Sequence, residues 1–414
     1  MRRLLLAAAV LSGTVLWGKD MYVDYQSGKT GNPGTKEAPY SAVAQALKNV
    51  SPGDTIYILP SDQPIRDNIQ IINICGTAEA PITIDGMNNI FLGTDPLDPE
   101  VWKEISPGVY KKEMKTGRNW ARRFFMTFNG HINRMGRLQK ASSGGAKFKK
   151  PEDLAPGEWT IVEKDMVDAK GRQKQYNYDF IVRLPEGAKS LEDSGIEVPN
   201  IHKHGGVNLR GKCRHLVLRN IIVKNFFNDG YNIHDDVEDV HFENIAAVDC
   251  GDDGISAHES CKLTGKNMVF IGCSTAVCHI NSVTSYQENV YFERISGREF
   301  YFLSDSDNTV KNAWGFADSF SGSRWLAGKE NHQKGCLENI FMLSRNPKSI
   351  FLFSVEKDAK LDMTVTNVQL AGFYQVTENP GIVRADPEVL RKLITEKRAE
   401  MFAIFGGNLE KALK

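Results

Sequence analysis

The sequence predicts an all-β protein folded as a right-handed parallel β-helix, a solenoid in which short strands stack coil upon coil. Residues 214–370 repeat a run of alternating apolar residues, a turn residue that is often Asn, and a second apolar run. The repeat is about 20–30 residues long and has no helical periodicity between copies, which is typical of solenoids. Hairpin signals, which a β-sandwich requires, are scarce, and the consensus leucines of a leucine-rich repeat are missing.

Copies of the repeat align on the turn residue, most clearly in residues 216–221 and 240–245. The marker positions are 220, 244, 272, 294, 339 and 367, and a weaker coil at 310–312 lies within the longest interval. No single coil can bury its own apolar face. Coils stacked about 4.8 Å apart pair their strands with the coils above and below, and they share one continuous core.

Both ends of the solenoid carry sequences suited to closing it. Residues 21–86 form an N-terminal capping segment with β-prone runs at 53–60 and 80–86 and a predicted helix at 40–49. Near the other end, Asp386 and Pro387 supply an N-cap and a first-turn proline for an amphipathic helix that ends near residue 402. We expect this helix to shield the last strand edge from pairing with another chain.

The sequence divides into a signal peptide (1–18), a β-helix (19–385) and a C-terminal capping helix (386–414). Arg2 and Arg3 precede an apolar run too short to span a bilayer, which predicts a signal peptide, with a retained anchor as the alternative. No later stretch has membrane-spanning length. We therefore expect a secreted or periplasmic protein without a membrane span.

Segment 87–200 departs from the coil rhythm and is interpreted as an insertion or as elaborated coils. The whole chain is balanced, with 51 basic and 51 acidic residues, but residues 101–150 hold 13 Lys or Arg and only two acids. Trp120 lies among these basic residues. They form either a solvated loop surface or a basic wall with an aromatic platform for a polyanionic glycan. Nucleic acid is not expected, because the protein is predicted to be exported.

Seven cysteines form neither a paired disulfide framework nor a zinc pattern. Cys250, Cys273 and Cys278 stand among apolar residues and are predicted to pack inside as small hydrophobes. A single disulfide remains an alternative in an export compartment.

The residues with the clearest chemical potential lie in two segments 24 positions apart, 229–235 and 253–259, which share Asp, Gly and His at matching positions. Stacking the two coils places Asp229 beside Asp253, with Asp252 next to it. Carboxylates this close repel one another, so we expect at least one raised pKa and a proton held near neutrality. A protonated acid beside an ionised base is what glycoside hydrolysis requires.

Strand alternation assigns the other side chains of these segments. It predicts that the inward-facing residues are Tyr231, Ile233, Ile255 and Ala257. It predicts that the outward-facing residues are Asn232, His234, Ser256 and His258. The two histidines are interpreted either as substrate contacts or as a stacked exposed pair.

Residues 228–233, 251–255 and 279–283 resemble the three successive active-site coils of the polygalacturonase family, and the paired aspartates also resemble the β-helical α-1,3-galactosidases. The opening segment looks like the first coils of the pectate-lyase-like superfamily. The resemblance implies that Asp252 is the general acid and that Asp229 and Asp253 position and deprotonate water. It implies that His279 is the histidine of the next coil.

The chain departs from that pattern in four ways, one of which is that the family's glycine-His-glycine context is absent around His279. Residues 261–266 form a short insertion that lengthens the spacing before His279. Gly254 stands where the family usually has cysteine. No Arg-x-Lys pair follows, and Arg298 is the nearest single residue that could hold a uronate carboxylate.

The leading hypothesis is a cofactor-independent inverting glycoside hydrolase acting on an acidic or galactose-containing polysaccharide. Its predicted substrate-binding residues are Asn232, His234, Ser256, His258, Arg298 and Trp120. Inverting enzymes typically hold their two carboxyls about 6.5–9.5 Å apart, a separation that outward-splayed residues one coil apart could reach.

Two other function classes stay open. A polysaccharide lyase would use Ca²⁺, for which hard oxygen ligands are suitable, and a basic side chain that removes a proton. The predicted ligands are Asp235, Asp236, Asp239 and Glu259, and the predicted bases are Lys262, Lys266 and Arg298. A non-catalytic glycan-binding solenoid is the third class, because many solenoids present binding surfaces without chemistry.

Overall fold

A computed structural model of the protein describes residues 18–116, 124–133, 148–169, 173–319 and 322–414. The apolar run of the predicted signal peptide lies outside the described residues. Within these ranges, no helix is both long and apolar enough to cross a membrane.

The strands are numbered in chain order. The first four are β1 (Asp20–Val23), β2 (Thr55–Ile58), β3 (Ile69–Ile72) and β4 (Ile82–Leu92). The next eight are β5 (Thr94–Pro96), β6 (Lys103–Ser106), β7 (Val109–Thr116), β8 (Met126–Phe128), β9 (His131–Asn133), β10 (Trp159–Ala169), β11 (Gln173–Arg183) and β12 (Ile196–Pro199). The last sixteen are β13 (Val207–Arg210), β14 (Lys212–Lys224), β15 (Tyr231–Ile233), β16 (Asp236–Val248), β17 (Asp253–Ala257), β18 (Ser260–Ile271), β19 (Thr275–Ile280), β20 (Thr284–Glu293), β21 (Arg298–Leu303), β22 (Asp307–Ala317), β23 (Ser323–Ala327), β24 (His332–Ser344), β25 (Ile350–Val355), β26 (Lys360–Ala371), β27 (Gln375–Val376) and β28 (Ile382–Arg384).

Most of these strands belong to two long parallel sheets. The 11-stranded sheet has the order β1-β2-β4-β14-β16-β18-β20-β22-β24-β26-β28, and the nine-stranded sheet has the order β27-β25-β23-β21-β19-β17-β15-β13-β3. Most coils contribute one strand to each sheet, and the solenoid has about 12 turns in all. The predicted parallel β-helix is confirmed.

The core is a set of apolar ladders that run along the helix axis. One ladder joins neighbouring strands of the long sheet in direct register. Its members are Ile245, Met268, Val290, Ala313, Ile340 and Val368, each with 0% exposure. Because every coil supplies one residue per ladder, the coils bury a continuous core that none of them could form alone.

An asparagine ladder marks one corner of the coils. Each side-chain amide donates to the preceding asparagine, through residues 220, 244, 267, 289, 312, 339 and 367. The predicted markers at 272 and 294 are wrong, because Gly272 and Arg294 lie at the next corner, after β18 and β20. The weaker coil at 310–312 is a full member through Asn312.

The segment between the first and later coils forms two antiparallel sheets, β10-β11-β7-β6 and β5-β12-β8-β9. Residues 87–92 still belong to β4 of the long parallel sheet. A short 3₁₀ helix (Pro151–Asp153) lies between β9 and β10 in sequence. The aromatic core of this segment, which includes Phe124, Trp159 and Phe180, also takes in Phe227 of the solenoid. The insertion is thereby packed against the coil that leads into Asp229.

Three α-helices complete the described chain: α1 (Val43–Leu47), α2 (Pro387–Ala403) and α3 (Asn408–Leu413). Asp386 caps α2 by accepting from the backbone N–H groups of Glu388 and Val389 at 2.8 and 3.1 Å. The N-cap and proline prediction is confirmed, and α1 is shorter than the predicted 40–49.

The C-terminal helices do not cover the last coil as expected. They lie along the outer face of the long sheet, where Leu390, Ile394 and Phe402 pack on Val269 and Tyr291. That face carries a second row of apolar residues, and covering it removes more apolar surface from water than covering one strand edge.

We predict that Asn244→Ala lowers the free energy of unfolding by about 2–3 kcal/mol. The Asn244 amide makes two ladder bonds of 2.9 Å, and its backbone has φ 53°; lost hydrogen bonds and a strained left-handed alanine both cost stability. Asn244→Gly should cost less, because glycine adopts this φ without strain. Urea unfolding measures both variants, and an equal loss would contradict the strain contribution.

Candidate active site

Two Asp-Gly pairs position the site, because Asp229-Gly230 precedes β15 and Asp253-Gly254 begins β17, both short strands of the nine-stranded sheet. Strands β15 and β17 pair in register, with Tyr231 opposite Ile255 and Ile233 opposite Ala257. All four of these side chains lie in the core, as the alternation predicts. A Cβ on Gly230 would lie 2.5 Å from the Ala247 Cβ. The turn after each aspartate is therefore too close to the core for any side chain.

The structure brings Asp229, Asp252 and Asp253 together. Each offers a carboxylate oxygen, and these oxygens lie within 4.8 Å of one another. The three side chains are buried, with 3%, 5% and 4% exposure. The backbone N–H of Asp253 donates to Asp229 Oδ1 at 2.9 Å. Asn228 donates to Asp229 Oδ2 at 2.8 Å, so both oxygens of Asp229 are fixed in direction.

The aspartates lie at the floor of a groove of about 500 Å³. Its wall contains Asn232, Ser256 and Cys278, which occupy one register position on successive coils. Tyr301 continues this row on the next coil. The Asn232 Oδ1 atom is buried and has no hydrogen-bond partner in the described part of the chain. An acceptor of this kind on the wall suits a ligand hydroxyl group.

Two histidines form a stacked pair at the edge of the groove. The rings of His234 and His258 are 4.6 Å apart and 2° from parallel, so they are stacked; both also line the groove, and the interpretation as substrate contacts stays a prediction. His258 Nε2 lies 2.9 Å from the Ser256 hydroxyl, and His234 Nδ1 lies 3.1 Å from a Glu259 oxygen. Burial lowers the pKa of His258, and the charge of His234 acts in the same direction. The neutral imidazole is therefore favoured beside the aspartates.

The prediction that His279 joins the catalytic residues is wrong. His279 pairs in register with the inward-facing Ala257 and is fully buried. Its Nδ1 lies 2.8 Å from the Cys278 carbonyl, and its Nε2 lies 2.7 Å from the Gln287 amide. The spacing explanation also fails, because residues 261–266 lie within β18 and add no extra length before His279.

The neighbouring Cys278 is buried as predicted, with 3% exposure, but it is not part of the main apolar core. Cys278 lines the groove, whereas Cys250 and Cys273 lie in the core as predicted. None of the seven cysteines, all of which lie in the described ranges, forms a disulfide, so the alternative of a disulfide is excluded for the structure described.

The other predicted substrate contacts have different outcomes. Arg298 begins β21, and its guanidinium lies over the Tyr301 ring at 4.0 Å from the centroid. Trp120 lies outside the described residues. Sequence reasoning missed Tyr301, His204 and Arg210, which also line the groove. The alternation of β21 would have identified Tyr301 once its register with Cys278 was known.

The predicted Ca²⁺ ligands do not come together. Asp236 forms an ion pair with Arg214 at 2.6 Å, and Asp239 lies between His215 and His241. Glu259 contacts His234, while Asp235 accepts from the backbone of Gly211. In the described ranges, the group of three suitable ligands is Asp229, Asp252 and Asp253.

Two of the predicted lyase bases lie away from the aspartates. Lys262 and Lys266 belong to β18 of the long sheet, and Lys262 forms an ion pair with Glu238 at 2.9 Å. The aspartates lie at the nine-stranded sheet, so neither lysine could remove a proton from a sugar bound at the aspartates. Arg298 is the predicted base that lies beside the groove.

No protein-family model and no curated protein matches the chain. Solved structures with a similar course of the chain include XylC in complex with xylose, with 9% identity, a TM-score of 0.43, and coverage of 89% of this chain and 87% of that chain. A GH136 lacto-N-biosidase from Eubacterium ramulus has 10% identity, a TM-score of 0.38 and coverage of 89% and 67%. A rhamnogalacturonan lyase has 12% identity, a TM-score of 0.37 and coverage of 90% and 86%. Likeness at this level carries no argument about function.

We predict that His279 contributes a pH dependence to stability. Burial lowers its pKa to about 3, whereas an unfolded histidine titrates near 6.5. The unfolded state therefore binds more protons between these values, and stability is lost as pH falls from about 6.5 towards 3. In His279→Gln, the slope of unfolding free energy against pH in this window should fall by about 1.4 kcal/mol per pH unit.

The matched control for this measurement is His131→Gln, which changes an exposed histidine. It should keep the slope of the unmodified protein. Equal slopes for His279→Gln and the unmodified protein would mean that His279 is protonated in the folded state.

Proposed function

We propose that this protein is a carbohydrate-active enzyme that hydrolyses glycosidic bonds of a polysaccharide outside the cytoplasm. The observation that carries the proposal is the convergence of three buried carboxylates at the floor of an open groove. Burying carboxylates is unfavourable unless they are compensated, and clusters of this kind are typical of functional sites. The polar groove wall supplies the hydrogen bonds that sugar hydroxyls require.

In this proposal Asp252 is the general acid and protonates the glycosidic oxygen. Asp229 and Asp253 orient the attacking water, and one of them accepts its proton. The three carboxylates cannot all ionise without strong mutual repulsion, so the cluster retains the proton that the acid donates. Hydrogen bonds from Asn228 and the Asp253 backbone favour an ionised Asp229. In this proposal the retained proton lies on Asp252, the general acid.

The carboxylate spacing differs from the simple expectation for an inverting enzyme. The nearest oxygens lie within 4.8 Å, below the typical separation of about 6.5–9.5 Å between carboxyl groups. Equivalent positions on adjacent coils cannot move further apart at this point, because the strands are paired. When one water donates a hydrogen bond of about 2.8 Å to each of two carboxylate oxygens, those two oxygens lie about 4–5 Å apart. The carboxylate spacing therefore suits a water held between Asp229 and Asp253. Direct attack by that water would invert the configuration at the anomeric carbon.

We predict that Asp252→Asn, Asp229→Asn and Asp253→Asn each lower kcat by roughly 10²–10⁴-fold, the usual contribution of acid–base catalysis. Reducing-end release from a panel of acidic and neutral plant and algal polysaccharides measures this. Asp236→Asn is the control, because it removes an exposed carboxylate outside the groove. Undiminished turnover in Asp252→Asn would exclude its role as the acid.

A polysaccharide lyase is the second candidate, because the same three oxygens could hold a divalent cation such as Ca²⁺. A bound cation would neutralise a uronate carboxylate, and Arg298 would remove the neighbouring proton. The cation would then be essential, whereas the hydrolase needs none.

The products separate the two candidates. Hydrolysis predicts saturated products whose new reducing end first appears as the inverted anomer by NMR, with a rate unchanged by chelator. Unsaturated products that absorb near 235 nm and disappear on chelation would instead establish the lyase. Retention of the anomeric configuration would mean that a carboxylate, and not water, attacks the anomeric carbon first.

A further inference from the structure

We infer that Arg298 and Arg324 form an oxyanion-binding subsite that holds a carboxylate or sulfate group of the glycan beside the three aspartates. The inference rests on the proposed function and names the substrate as an anionic glycan. Arg298 contacts Tyr301, which lines the groove, and Arg324 pairs with it on the next coil; both arginines lie on later coils than the aspartates.

Register places both side chains on the groove face. Arg298 follows Asp253 and Thr275 at one position on successive coils. Arg324 pairs with Tyr301, which lines the groove, while their neighbours Phe302 and Trp325 pair in the core. Two coils separate Arg298 from Asp253, which is about 10 Å along the helix axis. Arg324 lies one coil further along, at about 14 Å, so the two arginines lie beside the sugar units that follow the bond that is cut.

Both guanidinium groups have unmet hydrogen-bonding capacity. The Nε atoms of Arg298 and Arg324 are buried and have no hydrogen-bond partner in the described part of the chain. By contrast, Arg214, Arg294 and Arg398 each pair with an acidic side chain at 2.6–3.5 Å. A half-buried guanidinium without an acceptor is costly, and two of them, close enough for their charges to interact, indicate an anionic ligand.

Electrostatics and packing support the same ligand. Burial lowers the pKa of Arg298, and the positive charge of Arg324 acts in the same direction. A carboxylate or sulfate would relieve this repulsion and accept from both guanidinium forks. The Tyr301 ring beneath Arg298 holds that side chain in place through a cation–π contact. The same ring, exposed to the groove, offers a surface against which a sugar ring can pack.

The test measures binding to matched pairs of polymers. One pair is polygalacturonate and its methyl ester, which differ in free carboxylate. The other is a carrageenan and its desulfated form, which differ in sulfate. Binding is measured by affinity electrophoresis with the Asp252→Asn protein, so that cleavage does not intervene, and then with Arg298→Gln or Arg324→Gln added to it.

We expect the charged polymer of at least one pair to bind roughly tenfold or more tightly than its neutral partner, and each arginine substitution to remove that preference, since a charge-assisted hydrogen bond is worth about 1.5–3 kcal/mol. The pair that shows the preference identifies carboxylate or sulfate. The control, Arg391→Gln, removes an exposed arginine of α2 and should leave binding unchanged. Thermal unfolding checks that each variant is folded.

The inference is overturned if charged and neutral polymers bind alike, if none binds, or if folded Arg298→Gln and Arg324→Gln variants keep the preference. These outcomes leave the hydrolase proposal standing, because it depends on the aspartates. Conversely, if turnover survives Asp252→Asn, the hydrolase proposal is overturned. The anion subsite still stands in that case if the arginine substitutions remove the preference for the charged polymer.

Discussion

Strand pairing between successive coils is the constraint on which the rest of this structure depends. Parallel pairing holds equivalent positions about 4.8 Å apart, and it extends through 11 strands in one sheet and nine in the other. A position that recurs on each coil therefore becomes a continuous row in space. Apolar rows make the core, an asparagine row fixes one corner, and a row beginning at Asp229 and Asp253 makes the site.

Strand pairing also explains why the site is compact and why it lowers the stability of the folded protein. Pairing fixes Asp229 and Asp253 one coil apart, and the Asp252 side chain joins them from the adjacent position. Concentrating buried negative charge opposes folding, as do the buried Nε atoms of Arg298 and Arg324, which have no hydrogen-bond partner among the described residues. The extensive apolar core on both sides of the long sheet compensates for these unfavourable groups. The solenoid thus provides a rigid support on which residues unfavourable for stability can be held in place.

Local repetition decides how much of this could be predicted from sequence. The fold and the approach of Asp229 to Asp253 were predictable, because the apolar coils repeat, the Asp-Gly pair recurs 24 positions later, and strand alternation fixes the direction of the neighbouring side chains. His279 was placed wrongly because it was assigned by likeness to another family, and a shift of one residue turns a side chain from groove to core. The ladder markers at 272 and 294 failed because two corners of a coil favour similar turn residues. Arg324 and Tyr301 belong to no local motif, so only the three-dimensional register brings them to the groove.

The most direct measurement of the central claim is a crystal structure of the Asp252→Asn protein with an oligosaccharide from a polymer that the unmodified protein cleaves. We predict a glycosidic oxygen within hydrogen-bonding distance of residue 252 and a water between Asp229 and Asp253 below the anomeric carbon. A glycan bound on another face of the solenoid, or aspartates turned away from its glycosidic bonds, would contradict the account.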